Sequence, residues 1–435
     1  MIIPAQRLFI VLAAIAFIAF YASIWSAVEI FWLFALLILG IFALIDAFLV
    51  YRPHGLRVQR DIAASLPLGV DRVVKLRVYN DSQRDYQLHL FDHYPLDVRV
   101  TGLPIKLGLA ANTHADLRYK IHAIKRGKIH FSHTQIHLLS PLGFWQRNCH
   151  IDASSEVHIY PNFAAVSHYA LMATDNRLSQ MGIVKKRRRG EGQDFHQLRE
   201  YQQGDSLRQI DWKASSRMRK VISREYQDER DQEIIFLLDC GHRMQAQDNE
   251  LSHFDHTLNA ILLLSYVALK QGDSVGLATF SGMSRWTPPR KGQHIMQQIL
   301  NTIYDLQPTA ESPDYSQIAT ELMVRHKKRA LVILITNLRD EDADDLLPAL
   351  KLLRKRHLVL LASMREQALD DVLEIPVANY NDAIVNSATQ HYLQYRKKTF
   401  DTLKQAKVIS LDVPPQALSV NLINHYLDIK GRGIL

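Results

Sequence analysis

The sequence has few cysteines: Cys149 and Cys240 are the only two among its 435 residues. Two distant thiols cannot form a disulfide framework or a four-cysteine zinc site, so a reducing compartment is the simplest interpretation. The sequence also lacks GxxxxGK[ST], GxSxG and HExxH, the motifs of phosphate binding, serine hydrolysis and zinc proteolysis. We therefore assign no catalytic residue and expect a protein that is not an enzyme and uses no cofactor.

Charged side chains are nearly absent from two N-terminal runs. The run from Leu8 to Val28 carries none, and the run from Ile30 to Val50 carries only Asp46. Each run can cross ~30 Å of hydrocarbon at about 1.5 Å per residue. The sequence therefore predicts two membrane-spanning helices within residues 8–50, separated by a turn at Glu29. Asp46 lies about one helical turn from the end of its run, where we expect its carboxylate to reach water by snorkelling.

Two other interpretations of these runs compete with a membrane hairpin. A secretory signal peptide is disfavoured because a second apolar run follows directly. A buried hairpin in a soluble core is disfavoured because soluble helices are rarely apolar on every face. Arg7 precedes the first run and Arg52, Arg57 and Arg60 follow the second, whereas residues 26–30 contain no Lys or Arg. The positive-inside rule then predicts an inner-membrane protein with both termini in the cytoplasm.

Residues 53–162 contain short alternating runs separated by turn residues, as in Val73–Tyr79 and Lys128–Leu138. This pattern predicts an antiparallel, sandwich-like β domain after a transmembrane segment that we assign to residues 1–52.

Three histidines in this domain, His130, His133 and His137, raise the question of a metal site. On a regular strand His133 and His137 share a face and His130 does not, because side chains alternate. Three ligands would then not converge, so we interpret them as ordinary strand residues.

Residues 163–232 are predicted to be a linker and a basic cassette. Between residues 185 and 224 there are 12 Lys or Arg and five Asp or Glu, a local charge of +7 against +8 for the whole chain. We predict a helix that begins near Leu207 and is capped by Asp205 or Ser206. The candidate binding residues combine charge, aromatic rings and a turn: Arg199, Tyr201, Gly204, Asp205, Arg208, Asp211, Trp212 and Lys213.

Opposite charges recur at helical spacing in the cassette, so Arg199, Arg208 and Asp211 are predicted to form a partly buried network. The alternatives are a solvated helix face and a surface that binds anionic lipid. Nucleic-acid binding is disfavoured because the segment has no zinc-finger spacing and no aromatic stacking platform.

Residues 233–435 alternate apolar strands with amphipathic helices. The strands Ile234–Asp239, Ser274–Phe280, Ala330–Thr336 and Leu358–Ser363 are continuous apolar runs. Such a pattern predicts a doubly wound, mostly parallel sheet. Ligands of these sheets bind beyond the carboxyl ends of the strands, here at Asp239 and Asn337.

The cassette also carries a resemblance. Residues 194–213 have the pattern D-F-x-x-L-R-E-Y-x-x-G-D-x-x-R-x-I-D-W-K, and the next strand ends in Asp239. This pattern resembles the family called domain of unknown function 58. The resemblance implies a membrane hairpin, a β-rich segment, the cassette and a von Willebrand A-like domain. It also implies an association with MoxR-type AAA+ ATPases that assist the maturation or assembly of other proteins.

A von Willebrand A-like domain that binds metal uses an Asp-x-Ser-x-Ser loop, a later Thr and a later Asp. In this chain Gly241 and Arg243 replace the two serines, Asn337 replaces the later Asp, and the Thr position falls near Pro313. The degenerate metal-site positions are thus Asp239, Gly241, Arg243 and Asn337. We expect no metal here and predict that Arg243 takes the place of the metal and pairs with Asp239.

The sequence as a whole predicts a membrane-anchored scaffold or adaptor that binds protein partners, with a MoxR-type AAA+ ATPase as the partner that the resemblance implies. The alternatives are a metal-dependent protein-binding module and a basic protein that binds nucleic acid or a lipid surface.

Overall fold

The computed structural model describes residues 2–22, 29–51, 55–162, 194–202, 207–227, 232–248 and 251–433. The chain forms two compact units, Met1–Tyr160 and Pro161–Leu435. The first unit contains the apolar helices and a β-rich region, and the second contains the cassette and a mixed α/β region.

The N-terminal helices are α1 (Gln6–Ala22) and α2 (Glu29–Tyr51). Within the described residues one helix is long and apolar enough to cross a membrane: its Phe34–Tyr51 window of 18 residues has a mean hydropathy of 2.5. Helix α1 is also apolar but shorter, with 17 residues that include Gln6 and Arg7. The structure therefore supports one candidate span where the sequence predicts two.

The β-rich region contains two sheets. In chain order the strands of this unit are β1 (Ile2–Pro4), β2 (Leu56–Asp61), β3 (Ser65–Pro67), β4 (Asp71–Asn80), β5 (Tyr86–Asp92), β6 (Val98–Thr101), β7 (Ile105–Leu109), β8 (His114–Ala123), β9 (Gly127–Leu139) and β10 (Trp145–Tyr160). The first sheet has the order β1-β10-β9-β5-β7, with β3 also paired to β10, and the second has the order β2-β4-β8-β6. Alternate residues are buried, as in β4 and β8, so each sheet turns one face to an apolar core.

An irregularity in the pairing of β9 with β10 changes which side chains face outward. The buried positions are odd-numbered as far as Phe131 and even-numbered from Thr134. A β-bulge has this effect because one extra residue reverses the alternation. His130 therefore lies on the same outer face as His133 and His137, and the prediction that it lies on the opposite face is wrong.

Helix α2 is fastened to the turn between β9 and β10. The carboxylate of Asp46 accepts hydrogen bonds from the hydroxyl of Ser140, from the N–H of Leu142 at 3.1 Å and from the N–H of Phe144 at 3.2 Å. The indole of Trp145 also donates to the carbonyl of Ala43 at 2.8 Å. Asp46 is completely buried. The prediction that it snorkels to water is wrong, because the turn supplies the hydrogen bonds that water would supply.

In the second unit the cassette is a β-hairpin with a helical insertion. Strand β11 (Asp194–Glu200) pairs antiparallel with β12 (Ile222–Gln227), and a 3-10 turn (Leu207–Gln209) and α3 (Trp212–Met218) lie between them. The predicted α-helix near Leu207 begins at Trp212 instead, because the side chain of Asp211 accepts a hydrogen bond from the N–H of Ala214 and caps it.

The α/β region is a six-stranded sheet with helices on both faces. Its strands are β13 (Glu233–Asp239), β16 (Ser274–Phe280), β17 (Trp286–Arg290), β18 (Leu331–Thr336), β19 (Leu358–Met364) and β20 (Ile409–Val413), and β14 (Gln247–Asp248) with β15 (Leu251–Ser252) forms a separate hairpin. The helices are α4 (His253–Lys270), α5 (His294–Ile303), α6 (Tyr315–Arg325), α7 (Ala343–Arg354), α8 (Gln367–Glu374), α9 (Tyr380–Gln405) and α10 (Leu418–Gly431).

The strand order is β17-β16-β13-β18-β19-β20, and every pairing is parallel except that of the edge strand β17. One face of this sheet packs on α4, α5 and α10, and the other face packs on α6, α7 and α9. The predicted doubly wound α/β architecture is confirmed. The carboxyl ends of β13 and β18, where ligands of such sheets bind, lie side by side.

Candidate functional site

Asp239 ends β13 and is completely buried at the carboxyl edge of the sheet. Its carboxylate accepts hydrogen bonds from the hydroxyl of Thr336 at 2.6 Å and from the N–H of Gly241 at 2.8 Å. Burial raises the pKa of Asp239, because the charged form loses its hydration, and these hydrogen bonds oppose the rise. The only carboxylate of the expected metal site is thus held by neighbouring protein groups.

Gly241 stands where the expected metal-binding loop would have its first serine, and neighbouring atoms leave no room there for a side chain. A Cβ atom at this position would lie 2.8 Å from the carbonyl oxygen of Glu311 and 3.0 Å from Oδ1 of Asp239. A serine would therefore need a shift of the backbone around Glu311. Two backbone segments therefore pack closely at Gly241, where the expected metal site would need a hydroxyl.

Arg243 lies in the 3-10 helix His242–Gln245 and is nearly buried. Its guanidinium binds the carboxylate of Asp342 and that of Glu341, the latter at 2.6 Å. The predicted pair with Asp239 is wrong, because the acids that precede α7 reach the guanidinium and Asp239 is already bonded to Thr336. Arg243 still contributes a positive charge beside Asp239 that favours the ionised carboxylate.

Asn337 is buried after β18, and its side-chain amide donates to Glu366 at 2.7 Å. The sequence offers no hydroxyl at the expected Thr position near Pro313, and the nearby hydroxyl of Thr309 is bonded to backbone carbonyls. Its Oγ1 donates to the carbonyl of Ser281 at 2.7 Å, so it holds the backbone of the loop after β16. Thr309 follows no recognisable spacing in the sequence, so its role in holding this loop could not be predicted.

Arg396 is a second residue that the sequence analysis missed. It belongs to α9, is buried, and forms two hydrogen bonds to Asp412 at 2.8 and 3.1 Å. It also donates to Oγ of Ser363 and to the carbonyl of Met364, both at 2.8 Å. One arginine therefore ties together the ends of β19 and β20. Its sequence context, a polar amphipathic helix, resembles that of a surface arginine.

These contacts decide what the carboxyl edge can do chemically. No group of three or more His, Cys, Asp or Glu within the described ranges has the geometry to hold a metal ion. The residues at the expected metal positions bond to one another or to neighbouring loops. They do not fit a von Willebrand A-type metal site.

In the cassette, Asp211 is the organising side chain. Besides capping α3, its carboxylate binds the guanidinium of Arg224 at 2.9 Å. The Ala214 N–H and then Arg224 hold the pKa of Asp211 below its usual range. Arg208 is exposed in the 3-10 turn and Arg199 donates to the carbonyl of Glu200, so the predicted network of Arg199, Arg208 and Asp211 is wrong. The partner of Asp211 lies on β12.

The remaining candidate residues of the cassette differ in exposure. Tyr201 is partly buried and its N–H bonds to the carbonyl of Val221, whereas Lys213 is exposed on α3. Gly204 and Asp205 lie outside the described residues.

The three most exposed large apolar side chains in the described part of the cassette are Leu207 at 72%, Trp212 at 70% and Met218 at 60%. Each has an exposed basic residue beside it in the sequence, namely Arg208, Lys213 and Arg217. We call Leu207, Trp212, Met218 and these three basic residues the cassette surface. Tryptophan, methionine and arginine are enriched in the cores of protein interfaces, so this composition is typical of a binding surface.

Comparison with known proteins agrees with the resemblance in the sequence. Residues 197–406 match the family model described as protein of unknown function DUF58. The uncharacterized protein YeaD of Bacillus subtilis (strain 168) is 20% identical over 234 residues, which are 52% of this chain and 54% of that protein. The chain thus spans about half the length of the curated relative it matches.

Two solved structures that resemble part of the chain each cover a quarter of it. Native alpha-2-macroglobulin of E. coli has a TM-score of 0.22 and 13% identity, over 25% of this chain and 7% of that one. A FixG-related protein from Vibrio parahaemolyticus has a TM-score of 0.18 and 17% identity, over 25% of this chain and 97% of that one. Both TM-scores are too low to indicate a common fold.

Proposed function

We propose that this protein is a membrane-anchored adaptor, not an enzyme, that binds a protein partner through the cassette surface. The observation that carries the proposal is the exposure of Leu207, Trp212 and Met218. Large apolar groups on a folded surface lower the free energy of association when a partner covers them. The basic residues between them favour a partner whose facing surface is acidic.

The membrane anchor is proposed to be a hairpin of α1 and α2 in the inner membrane. Strand β1 precedes α1, and it pairs antiparallel with β10 at Trp145–Arg147, which follows α2. If α2 crosses a membrane, α1 must cross back, because β1 and β10 belong to one sheet. This pairing supports two crossings although α1 is short for a span.

The α/β region is proposed to be von Willebrand A-like and to work without metal. Its parallel order, with β17 as the antiparallel edge strand, and the place of Asp239 after a central strand support the first part. Gly241 and the ion pair of Arg243 with Asp342 support the second part. The region then serves as a rigid carrier of binding surfaces.

The partner that we propose is a MoxR-type AAA+ ATPase, as the DUF58 resemblance implies, in the maturation or assembly of other proteins. A photo-crosslinking amino acid at Trp212 of the full chain, in intact cells, tests this proposal. We expect an adduct that contains such an ATPase. Leu96, which is 97% exposed in the first unit, is the matched control position and is expected to give no such adduct.

Two results would contradict this function. Adducts at Trp212 with lipid or nucleic acid alone would favour the surface-binding alternatives. Equal capture of the ATPase from Leu96 and Trp212 would show that the cassette surface is not the binding site.

A further inference from the structure

A groove of about 1040 Å³ lies in the first unit between the N-terminal helices and the first sheet. Its helical side is formed by the start of α1, including Arg7, and by the end of α2 at Leu49 and Val50. Its sheet side is formed by the start of β5, the end of β7 and the end of β9. The groove thus opens where the apolar helices meet the polar β-rich region.

The two sides of the groove differ in chemistry. Leu49, Val50 and Leu138 supply apolar surface, whereas Arg7 and Arg84 supply positive charge. Both arginines are exposed, and within the described part of the chain neither forms an ion pair. An acid, Asp85, also lines the groove, and one of its carboxylate oxygens is bonded to the N–H of Ala111 at 2.8 Å.

We propose that this groove binds one anionic phospholipid, with its phosphate near Arg7 and Arg84 and an acyl chain along Leu49 and Val50. The inference rests on the proposed membrane anchor, because the cytoplasmic end of a hairpin of α1 and α2 lies at the depth of lipid headgroups. Guanidinium groups bind phosphate oxygens in a bidentate manner, and basic residues near a membrane attract anionic lipid. The volume lies at the upper limit of the ~300–1,000 Å³ range of small-molecule sites, which gives room for a headgroup with part of a chain.

Gly108 gives a way to fill the groove without disturbing the fold. It lines the groove from β7, its backbone is not left-handed, and a Cβ atom there would have no atom within 4 Å. Gly108→Phe should therefore occupy the space of the lipid. Arg84→Glu reverses one of the two charges proposed to bind the phosphate, and Arg99→Glu, at an exposed position of β6 in the second sheet, is the matched control.

The experiment uses the full chain in nanodiscs that contain photoactivatable phosphatidylglycerol or, separately, photoactivatable phosphatidylcholine. Labelled peptides are identified by mass spectrometry. We expect phosphatidylglycerol to label peptides around Leu109 and Leu138 more than phosphatidylcholine does. Loss of one basic contact should lower this labelling about fivefold in Arg84→Glu. Gly108→Phe should also lower this labelling. The labelling of α1 and α2 should stay the same in both variants, and the control Arg99→Glu should be labelled like the wild type.

Three results would overturn the proposal. Labelling confined to α1 and α2, or labelling that neither Gly108→Phe nor Arg84→Glu lowers, would show that lipid surrounds the helices but does not bind in the groove. Equal labelling by the two lipids would refute the anionic headgroup, and full displacement by soluble glycerol phosphate would show a phosphate site without a lipid. A chain that does not enter nanodiscs would instead overturn the proposed membrane anchor, which separates the two failures.

Discussion

Arg60 and Asp92 form an ion pair inside the β-rich region, where their side chains are 1% and 0% exposed. Arg60 comes from β2 in the second sheet and Asp92 from β5 in the first. The hydroxyls of Tyr119 at 2.6 Å and Thr134 at 2.9 Å also donate to Asp92. A buried charge needs such partners, because desolvation otherwise outweighs the attraction. Arg60 therefore links the two sheets and is not one of the exposed basic residues beside the candidate span.

Asp239 should give the stability of the protein a specific pH dependence. Its folded-state pKa is raised, so its contribution to folding is present at low pH and is lost as pH rises through that pKa. Asp239→Asn cannot ionise, so it does not lose stability in this way as pH rises. The difference in melting temperature, variant minus wild type, should therefore be more positive at about pH 8 than at about pH 4, which lies near the ordinary aspartate pKa.

Asp314→Asn is the control for this measurement, since Asp314 is an exposed carboxylate that caps α6. A relative melting temperature of Asp239→Asn that does not change with pH would show that Asp239 ionises as easily as an exposed aspartate.

Arg243 gives a second prediction at the level of single residues. Arg243→Ala leaves the nearly buried Asp342 without its cationic partner and should destabilise the protein by about 3 kcal/mol. Millimolar Mg²⁺ or Mn²⁺ should leave the melting temperature of the wild type unchanged. A rise with either metal would contradict our account of the site, since a ligand that binds only the folded state stabilises it.

At the scale of elements, α3 depends on one residue of its cap. Asp211→Ala removes the bond to Ala214 and the pair with Arg224, so we expect the melting temperature of the full chain to fall by a few degrees. Arg208→Ala is the matched control and should change nothing, because Arg208 is exposed. An equal fall in melting temperature for Asp211→Ala and Arg208→Ala would instead support the network of Arg199, Arg208 and Asp211 that the sequence predicts.

Helix α2 should depend on Asp46 in a similar way. Asp46→Ala leaves the N–H groups of Leu142 and Phe144 without acceptors, at a cost of about 2–4 kcal/mol. The emission of Trp145, which bonds to α2, is expected to shift at a lower temperature during unfolding in detergent. Leu44→Ala, at an exposed position of the same helix, should behave as the wild type. Identical unfolding of both variants would mean that the turn does not hold the helix.

Elements and contacts differ in how far the sequence predicts them. Strand β16 has the predicted bounds, and β13 and β18 differ by one residue at the start, because buried parallel strands are continuous apolar runs. The bulge in the pairing of β9 with β10 has no such pattern. The pair of Arg243 with Asp342 joins residues 99 positions apart, and only the packed sheet brings them together. The candidate site is therefore predictable in place but not in its contacts.

The whole molecule joins a unit that contains one candidate membrane span to an α/β unit, so the topology of the proposed anchor decides which compartment the cassette surface meets. The pairing of β1 with β10 and the turn that binds Asp46 attach the start of α1 and the end of α2 to one β-rich region. Arg60 is buried, but Arg7 and Arg57 remain as exposed positive charges on these flanks. Reporters fused before Met1 and after Leu435 should both be cytoplasmic, and one inserted after Ser26 should be periplasmic. Periplasmic activity at Leu435 would invert the proposed orientation. Opposite sides for Met1 and Leu435 would show a single crossing and would contradict the proposed hairpin.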